Sequence, residues 1–238
     1  MAVKVDIKAL FEAGVHFGHK TSRWHPKMAP YIHSKRQESH IIDLAKTVEA
    51  LEVALPFLTK TAASKPVLFV GTKKQAKAVT RQAAESINQP YVTERWIGGM
   101  LTNSNTINQQ IKKMKNLEKR MESGELEKRY NKLEVQRFQE EIDALEVKYG
   151  GIKNMNGRPG ALIVTDIIAD VNAVNEAKTL GIPVVALVDT NANPDGIDYV
   201  IPANDDAIKG VELLLEYFKQ AVQEGAGAEQ KPEAKKGE

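Results

Sequence analysis

ALIVTDIIADVNAVNEAKTLGIPVVALV, residues 161–188, is the stretch whose reading decides the fold. Ala161-Leu162-Ile163-Val164 and Val184-Val185-Ala186-Leu187-Val188 are short runs with an apolar residue at every position, and the segment near 170–180 between them reads as a helix. A strand that is apolar on both faces is buried from both sides, which belongs to a parallel sheet covered by helices. Working outward, Pro66-Val67-Leu68-Phe69-Val70-Gly71 is another such run, followed by a helix over about 73–87 and a short strand at Tyr91-Val92. Downstream, Tyr199-Val200-Ile201 supplies a fifth strand and residues 206–223 a helix. The expectation is a three-layer α/β domain.

Between Val92 and Ala161 the strand-helix alternation stops. Ile107, Ile111, Met114, Leu117 and Met121 step by four, three, three and four, and after Ser123-Gly124 a second series runs through Leu133, Phe138, Ile142, Leu145 and Tyr149. This spacing predicts two long amphipathic helices joined by a glycine turn, an antiparallel, coiled-coil-like hairpin. Its arms differ in sign. Residues 103–120 carry Lys112, Lys113, Lys115, Lys119 and Arg120 against Glu118, whereas 133–149 carry Arg137 and Lys148 against Glu134, Glu140, Glu141, Asp143 and Glu146. Solvated faces pairing across the hairpin account for most such charge. A lone hairpin buries little, so this one is expected to lie on a partner.

The N-terminal region has another character. Asp6 caps a short helix whose Ile7, Leu10 and Phe11 share a face, and Gly14 ends it. Residues 14–27 are polar, glycine-hinged and broken by Pro26, and read as an ordered loop. Tyr31-Ile32-His33 and His40-Ile41-Ile42 read as two short strands around Lys35-Arg36-Gln37-Glu38, and Asp43 caps a helix carrying Leu44, Val48, Leu51, Leu55 and Leu58. The formal charge of the chain is only +2, which selects no partner, but residues 1–40 hold seven basic residues against three acidic and all five histidines. Zero cysteines exclude a disulfide framework and a thiolate metal site. With 42% hydrophobic and 27% charged residues, no apolar start and no apolar run long enough to span a bilayer, the expectation is a soluble intracellular protein.

Both tryptophans directly follow an arginine, Arg23-Trp24 and Arg95-Trp96, among glycine, proline and histidine. Two readings stand side by side. The rings are core anchors whose arginines happen to be exposed. Alternatively, the guanidinium forks onto phosphate and the indole stacks on a splayed base.

Catalysis finds less support. Asp166 and Asp189 follow strands, with Asp195, Asp198, Asp205 and Asp206 nearby, and strand ends are where open α/β sheets bind ligands. Yet Gly71-Thr72-Lys73-Lys74 and Gly98-Gly99 lack the glycine spacing of a phosphate loop or a dinucleotide fingerprint. No histidine adjoins a glycine-framed serine, so no nucleophile triad is suggested. An aspartate after a strand often simply caps the next helix. His16 and His19, with Asp189 or Asp205, could form a mixed nitrogen and oxygen site for a structural zinc or magnesium, pinning the N-terminal loop to the sheet. Otherwise these imidazoles hydrogen-bond backbone or phosphate.

Several blocks together resemble one family. Gly14-Val15-His16-Phe17-Gly18-His19, Trp24-His25-Pro26-Lys27-Met28, Arg95-Trp96-Ile97-Gly98-Gly99-Met100-Leu101-Thr102-Asn103 and Pro159-Gly160-Ala161-Leu162-Ile163-Val164-Thr165-Asp166, with Glu176-Ala177 and Gly181-Ile182-Pro183, resemble the bacterial form of the second protein of the small ribosomal subunit, the universal "S-two" family. The likeness covers about residues 3–223. It implies a flavodoxin-like domain with an inserted helical hairpin, seated near the junction of head and body of the small subunit. It further implies contact with small-subunit ribosomal RNA and recruitment of the large mRNA-binding protein for translation. Carried over, the RNA-facing blocks fall on His16, His19, Lys20, Arg23, Trp24 and Lys27, on Arg95, Trp96, Asn103 and Asn105, and on Lys112, Lys113, Lys115 and Lys119, with Arg36 of the basic N-terminal strip beside them. No cofactor is required, though relatives leave room for a zinc near the N-terminal histidines.

The expected organisation is an α/β domain over 1–102 and 150–224 with an N-terminal RNA-facing extension, the hairpin at 103–149, and a disordered tail at 225–238. The function it implies is structural and non-enzymatic, in the cytoplasm as part of the ribosome, with RNA and neighbouring small-subunit proteins as partners and no membrane. The alternatives are a nucleotide- or metal-binding enzyme using the strand-end aspartates, and a scaffold whose hairpin binds a protein helix.

Overall fold

A computed structural model of the chain describes residues 3–228. Helix α1 (Ile7–Glu12) starts where the Asp6 carboxylate accepts from the Lys8 amide at 2.9 Å. Of its three apolar residues only Leu10 is buried, and Ile7 and Phe11 stand in solvent. The segment expected as a loop contains strand β1 (Phe17–Lys20) and two 3-10 turns, Thr21–Arg23 and Pro26–Tyr31. Strands β2 (Ile32–Arg36) and β3 (Ser39–Ile42) meet at Gln37 and Glu38, which both take positive φ, as a two-residue hairpin turn requires. β1 joins them through Phe17↔Ile41 and Lys20↔Ser39, giving a small antiparallel sheet in the order β1-β3-β2. No alternation of apolar and polar residues marks β1, because its outer positions are exposed and its middle ones only half-buried.

Helix α2 (Leu44–Ala62), capped by Asp43 on the Ala45 amide, leads into the main sheet. Strand β4 (Val67–Val70), helix α3 (Lys77–Ser86) and strand β5 (Tyr91–Val92) follow. α3 begins at Lys77 rather than at 73, since the preceding residues turn at the end of β4. Then come helices α4 (Ser104–Glu122), α5 (Glu125–Arg129) and α6 (Lys132–Tyr149). Strand β6 (Ala161–Val164), helix α7 (Val171–Leu180), strands β7 (Val184–Val188) and β8 (Tyr199–Pro202), and helix α8 (Ile208–Ala228) complete the described chain. α8 is therefore longer than expected and carries helix through residues 225–228. The rest of the expected tail lies outside the described residues.

The sheet is parallel throughout, in the order β5-β4-β6-β7-β8. This is the doubly wound order in which the chain starts near the middle, steps to one edge and returns past its starting strand. Every residue of β4, β6 and β7 is buried. Alternate residues face opposite layers. Val67, Phe69, Ala161, Ile163, Val185 and Leu187 pack on α2 and α8, whereas Leu68, Val70, Leu162, Val164 and Ala186 pack on α7, Met28, Trp96, Met100 and the near ends of α4 and α6.

α4 and α6 lie side by side, and the Lys113–Glu141 ion pair links their midpoints. The connection is more than a glycine turn. α5 inserts the fully buried Leu126 between them, and a capping box of Asn131 and Glu134 starts α6. Nor does the pair stand alone, since Ile107, Ile111, Met114, Leu145 and Tyr149 belong to the core of the α/β layers. Leu133, expected on the apolar face of α6, is exposed.

Candidate nucleic-acid interface

The turn after β5 is organised by one carboxylate. Glu176, on α7, accepts the Trp96 indole N–H at 2.9 Å and the Gly99 amide at 2.8 Å through Oε1. Its Oε2 accepts the Leu101 amide at 2.9 Å, the Thr102 amide at 3.1 Å and the Thr102 hydroxyl at 3.2 Å. Burial pulls the pKa of this carboxyl upward, but the indole and backbone donors together outweigh it and hold the value below the ordinary one. The Trp96 ring is 7% exposed and faces the core, while Arg95 and, beyond the turn, Asn103 and Asn105 point to solvent. Asn103 is engaged locally, its Oδ1 accepting from the Thr106 hydroxyl at 3.0 Å.

The two Arg-Trp pairs thus part company. Trp24 keeps 39% of its surface exposed, with its ring 5.2 Å from that of His40. Lys20, Arg23 and Arg36 are exposed around it, and Lys27 is exposed but paired with Asp195. His16 is buried between two rings, Phe11 at 4.3 Å and Phe17 at 4.1 Å, and burial lowers its pKa, so it offers no cation to solvent. His19 turns inward, with Nδ1 3.0 Å from Asp189 and Nε2 3.5 Å from Asp206, and its hydrogen bond to Asp189 raises its pKa.

On α4, Lys112 and Lys119 are exposed, Lys113 is paired with Glu141, and Lys115 reaches the Asn154 amide oxygen at 3.4 Å. Among the described residues, Lys20, Arg23, Arg36, Arg95, Lys112 and Lys119 have no ion-pair partner. Met28, Trp96, Met100 and Ile107 sit in one core cluster, so the N-terminal turn, the Arg95 turn and the near end of α4 are rooted on the same face of the sheet.

The carboxyl edge of the sheet tells against phosphate chemistry. Lys73, weighed in the sequence only as part of a segment that lacks phosphate-loop spacing, puts Nζ 2.7 Å from Asp205, 2.8 Å from Asp206 and 3.2 Å from Asp166. Burial lowers the pKa of this ammonium, but the carboxylates prevail and raise it well above the ordinary value. The strand-end aspartates have structural partners as well. Asp166 accepts from the Ile168 and Ala169 amides, Asp189 from Thr190, and Asp198 from the Val184 amide. β1 lies across this edge. The His19 amide donates to the Thr190 hydroxyl at 2.9 Å, the His25 amide to the Thr190 carbonyl at 2.7 Å, and a Cβ at Gly18 would fall 2.7 Å from the Thr190 methyl.

The same edge bears on a metal. His19, Asp205 and Asp206 bring one ligand atom each within 4.8 Å of one another, a mixed set that suits zinc better than magnesium. Asp189 adjoins the other nitrogen of His19. His16 takes no part, and Lys73 already neutralises two of these carboxylates, so the residues fit a cation only if that ammonium yields.

A family model described as Ribosomal protein S2 matches residues 10–225. The Small ribosomal subunit protein uS2 of Pseudoalteromonas atlantica is 47% identical over 235 residues, covering 98% of this chain and 96% of that protein. The protein of the same description from Aeromonas salmonicida is 50% identical over 213 residues, covering 89% of this chain and 88% of its own.

Proposed function

From the fact that the chain belongs to the ribosomal protein S2 family, we propose that it docks on small-subunit ribosomal RNA through the sheet face that carries Arg23, Trp24, Arg95 and the basic side of α4. The observation that carries this reading is the common rooting of three cationic segments far apart in sequence, with unpaired guanidinium and ammonium groups left in solvent. RNA duplexes present backbone and 2′-hydroxyls to a protein, so contacts that neutralise phosphate should outnumber base contacts. Trp24 is the ring available for stacking. Trp96 serves by holding its turn, and His16 and His19 serve by holding β1 in place. A zinc, where one is bound, would be held by His19, Asp205 and Asp206 and would tie β1 to the sheet.

Filter binding to small-subunit RNA across a salt series tests the reading. Affinity should fall steeply with salt, and Arg95→Ala or Lys112→Ala should each flatten the log–log slope by about one. Lys113 makes a poorer test than Lys112, because Glu141 already neutralises it. A flat salt response in the unsubstituted protein would end the proposal.

A protein contact has its own support. Phe11 and Phe17 stand exposed on either side of His16, and Ile7, one helical turn before Phe11 on α1, is exposed as well, an apolar group of the kind that marks protein interfaces. We assign to it the large mRNA-binding partner that the family resemblance implies. Phe11→Ser should weaken recruitment of that partner to small subunits, measured by cosedimentation, and leave the salt slope for RNA unchanged.

A further inference from the structure

We propose that Glu176 is the positioning residue of the RNA-facing turn, its carboxylate reaching from α7 to fix residues 96–102 so that Arg95 and Asn103 are presented at the two ends of that turn. The inference rests on the RNA-docking reading above and names the group that makes the turn competent.

Residues 96–102 lie outside every helix and strand, and their conformation must be imposed by something else. Three backbone N–H groups, an indole N–H and a hydroxyl converge on the two oxygens of Glu176. An ionised carboxylate offers about four lone-pair sites and no donor, so it is saturated here, and no other side-chain type matches such a ring of donors. The chain bends around the carboxylate because Gly99 has φ +85°, and a Cβ there would lie 3.1 Å from that of Asn103. Trp96 closes the arrangement from below, its ring in the core and its N–H on Oε1.

A negative side chain beside a polyanion-binding turn ought to be a liability. Its retention makes sense if its work is geometric, and the sign of one substitution separates the two roles. Neutralising a carboxylate that merely repels phosphate would strengthen RNA binding, whereas neutralising one that shapes the turn would weaken it. In Glu176→Gln the charge is lost and an NH2 group is turned toward N–H donors. Glu176→Asp keeps the charge and withdraws it by one methylene.

The experiment measures hydrogen exchange at the Trp96 indole and the Gly99, Leu101 and Thr102 amides, together with RNA affinity over a salt series, for the unsubstituted protein, both Glu176 variants and Arg95→Ala. Both Glu176 variants should exchange faster at these four protons and bind RNA roughly tenfold more weakly, the scale of one charge-assisted hydrogen bond, with the salt slope flattened by no more than the one phosphate contact that Arg95 supplies. Arg95→Ala should flatten the slope and leave exchange alone. Unchanged exchange in the variants would overturn the latch. Faster exchange with equal or higher RNA affinity would overturn its role in presenting Arg95. Salt-independent binding by the unsubstituted protein would instead strike the docking proposal, and the exchange data would still judge the latch. Glu176 is half-buried on a helix, and Glu176→Asp provides the measurement should Glu176→Gln not fold.

Discussion

Arg23-Trp24 and Arg95-Trp96 are the same dipeptide in similarly loop-like surroundings, yet one indole faces solvent and the other lies in the core. Their neighbours in sequence hold no clue to the difference. What separates them is Glu176, eighty positions from Trp96, which gives the second indole a half-buried partner for its polar edge. Trp96→Ala should therefore cost about 3–5 kcal/mol in urea denaturation, the usual range for removing a large ring from a core. Trp24→Ala should change stability by less than about 0.5 kcal/mol and act on RNA affinity instead, by about 1–3 kcal/mol if a base stacks there. pH gives a separate handle on the same carboxylate. The folded pKa of Glu176 is lowered, so its contribution to holding the turn is fully present above the ordinary carboxylate pKa and is lost as pH falls through the folded value. Trp96 fluorescence in the native protein should follow that loss on acidification, and in Glu176→Gln this component of the titration should vanish.

Regular elements of some length were legible because their apolar spacing repeats. α2, α4 and the central strands lie within a few residues of where period and turn residues put them. β1 and α5 were not, for physical reasons: β1 has no buried face to pattern, and α5 is five residues long. α5 nonetheless matters, because Leu126 is completely buried where α4 and α6 are joined, whereas Met114 is completely buried within the main core. The two positions should report different cooperative units. Leu126→Ala should speed amide exchange near the junction through local opening and leave the sheet amides protected. Met114→Ala should lower global stability by about 2–5 kcal/mol, seen as a shift of the whole denaturation curve. If Leu126→Ala shifted the global curve as much as Met114→Ala, the distal end of the helical pair would be no separate unit.

At the scale of the molecule, the strand order points to a ligand crevice at the carboxyl edge between β4 and β6, where doubly wound sheets receive phosphates. The sequence announced that edge through its aspartates but left their purpose open, because a carboxylate after a strand reads alike as metal ligand, catalytic acid or helix cap. Three-dimensional placement separates these. Lys73 lies among Asp166, Asp205 and Asp206, joining the ends of β4, β6 and β8, and β1 covers Thr190 beside them. The crevice thus holds its own cation, and the surrounding carboxylates repel a phosphate. Nucleotides with magnesium should leave Tm unchanged, since a ligand that bound only the folded state would have to raise it. Lys73→Met, by contrast, should destabilise by about 3–5 kcal/mol, because the carboxylates would lose the ammonium that compensates them. For a chain of this size, each kcal/mol corresponds to a fall in Tm of about 2–4 °C, well within the reach of calorimetry. A nucleotide-induced rise in Tm, or a Lys73→Met variant as stable as the parent, would mean that this edge is an open binding site and that the ion cluster is incidental to the fold.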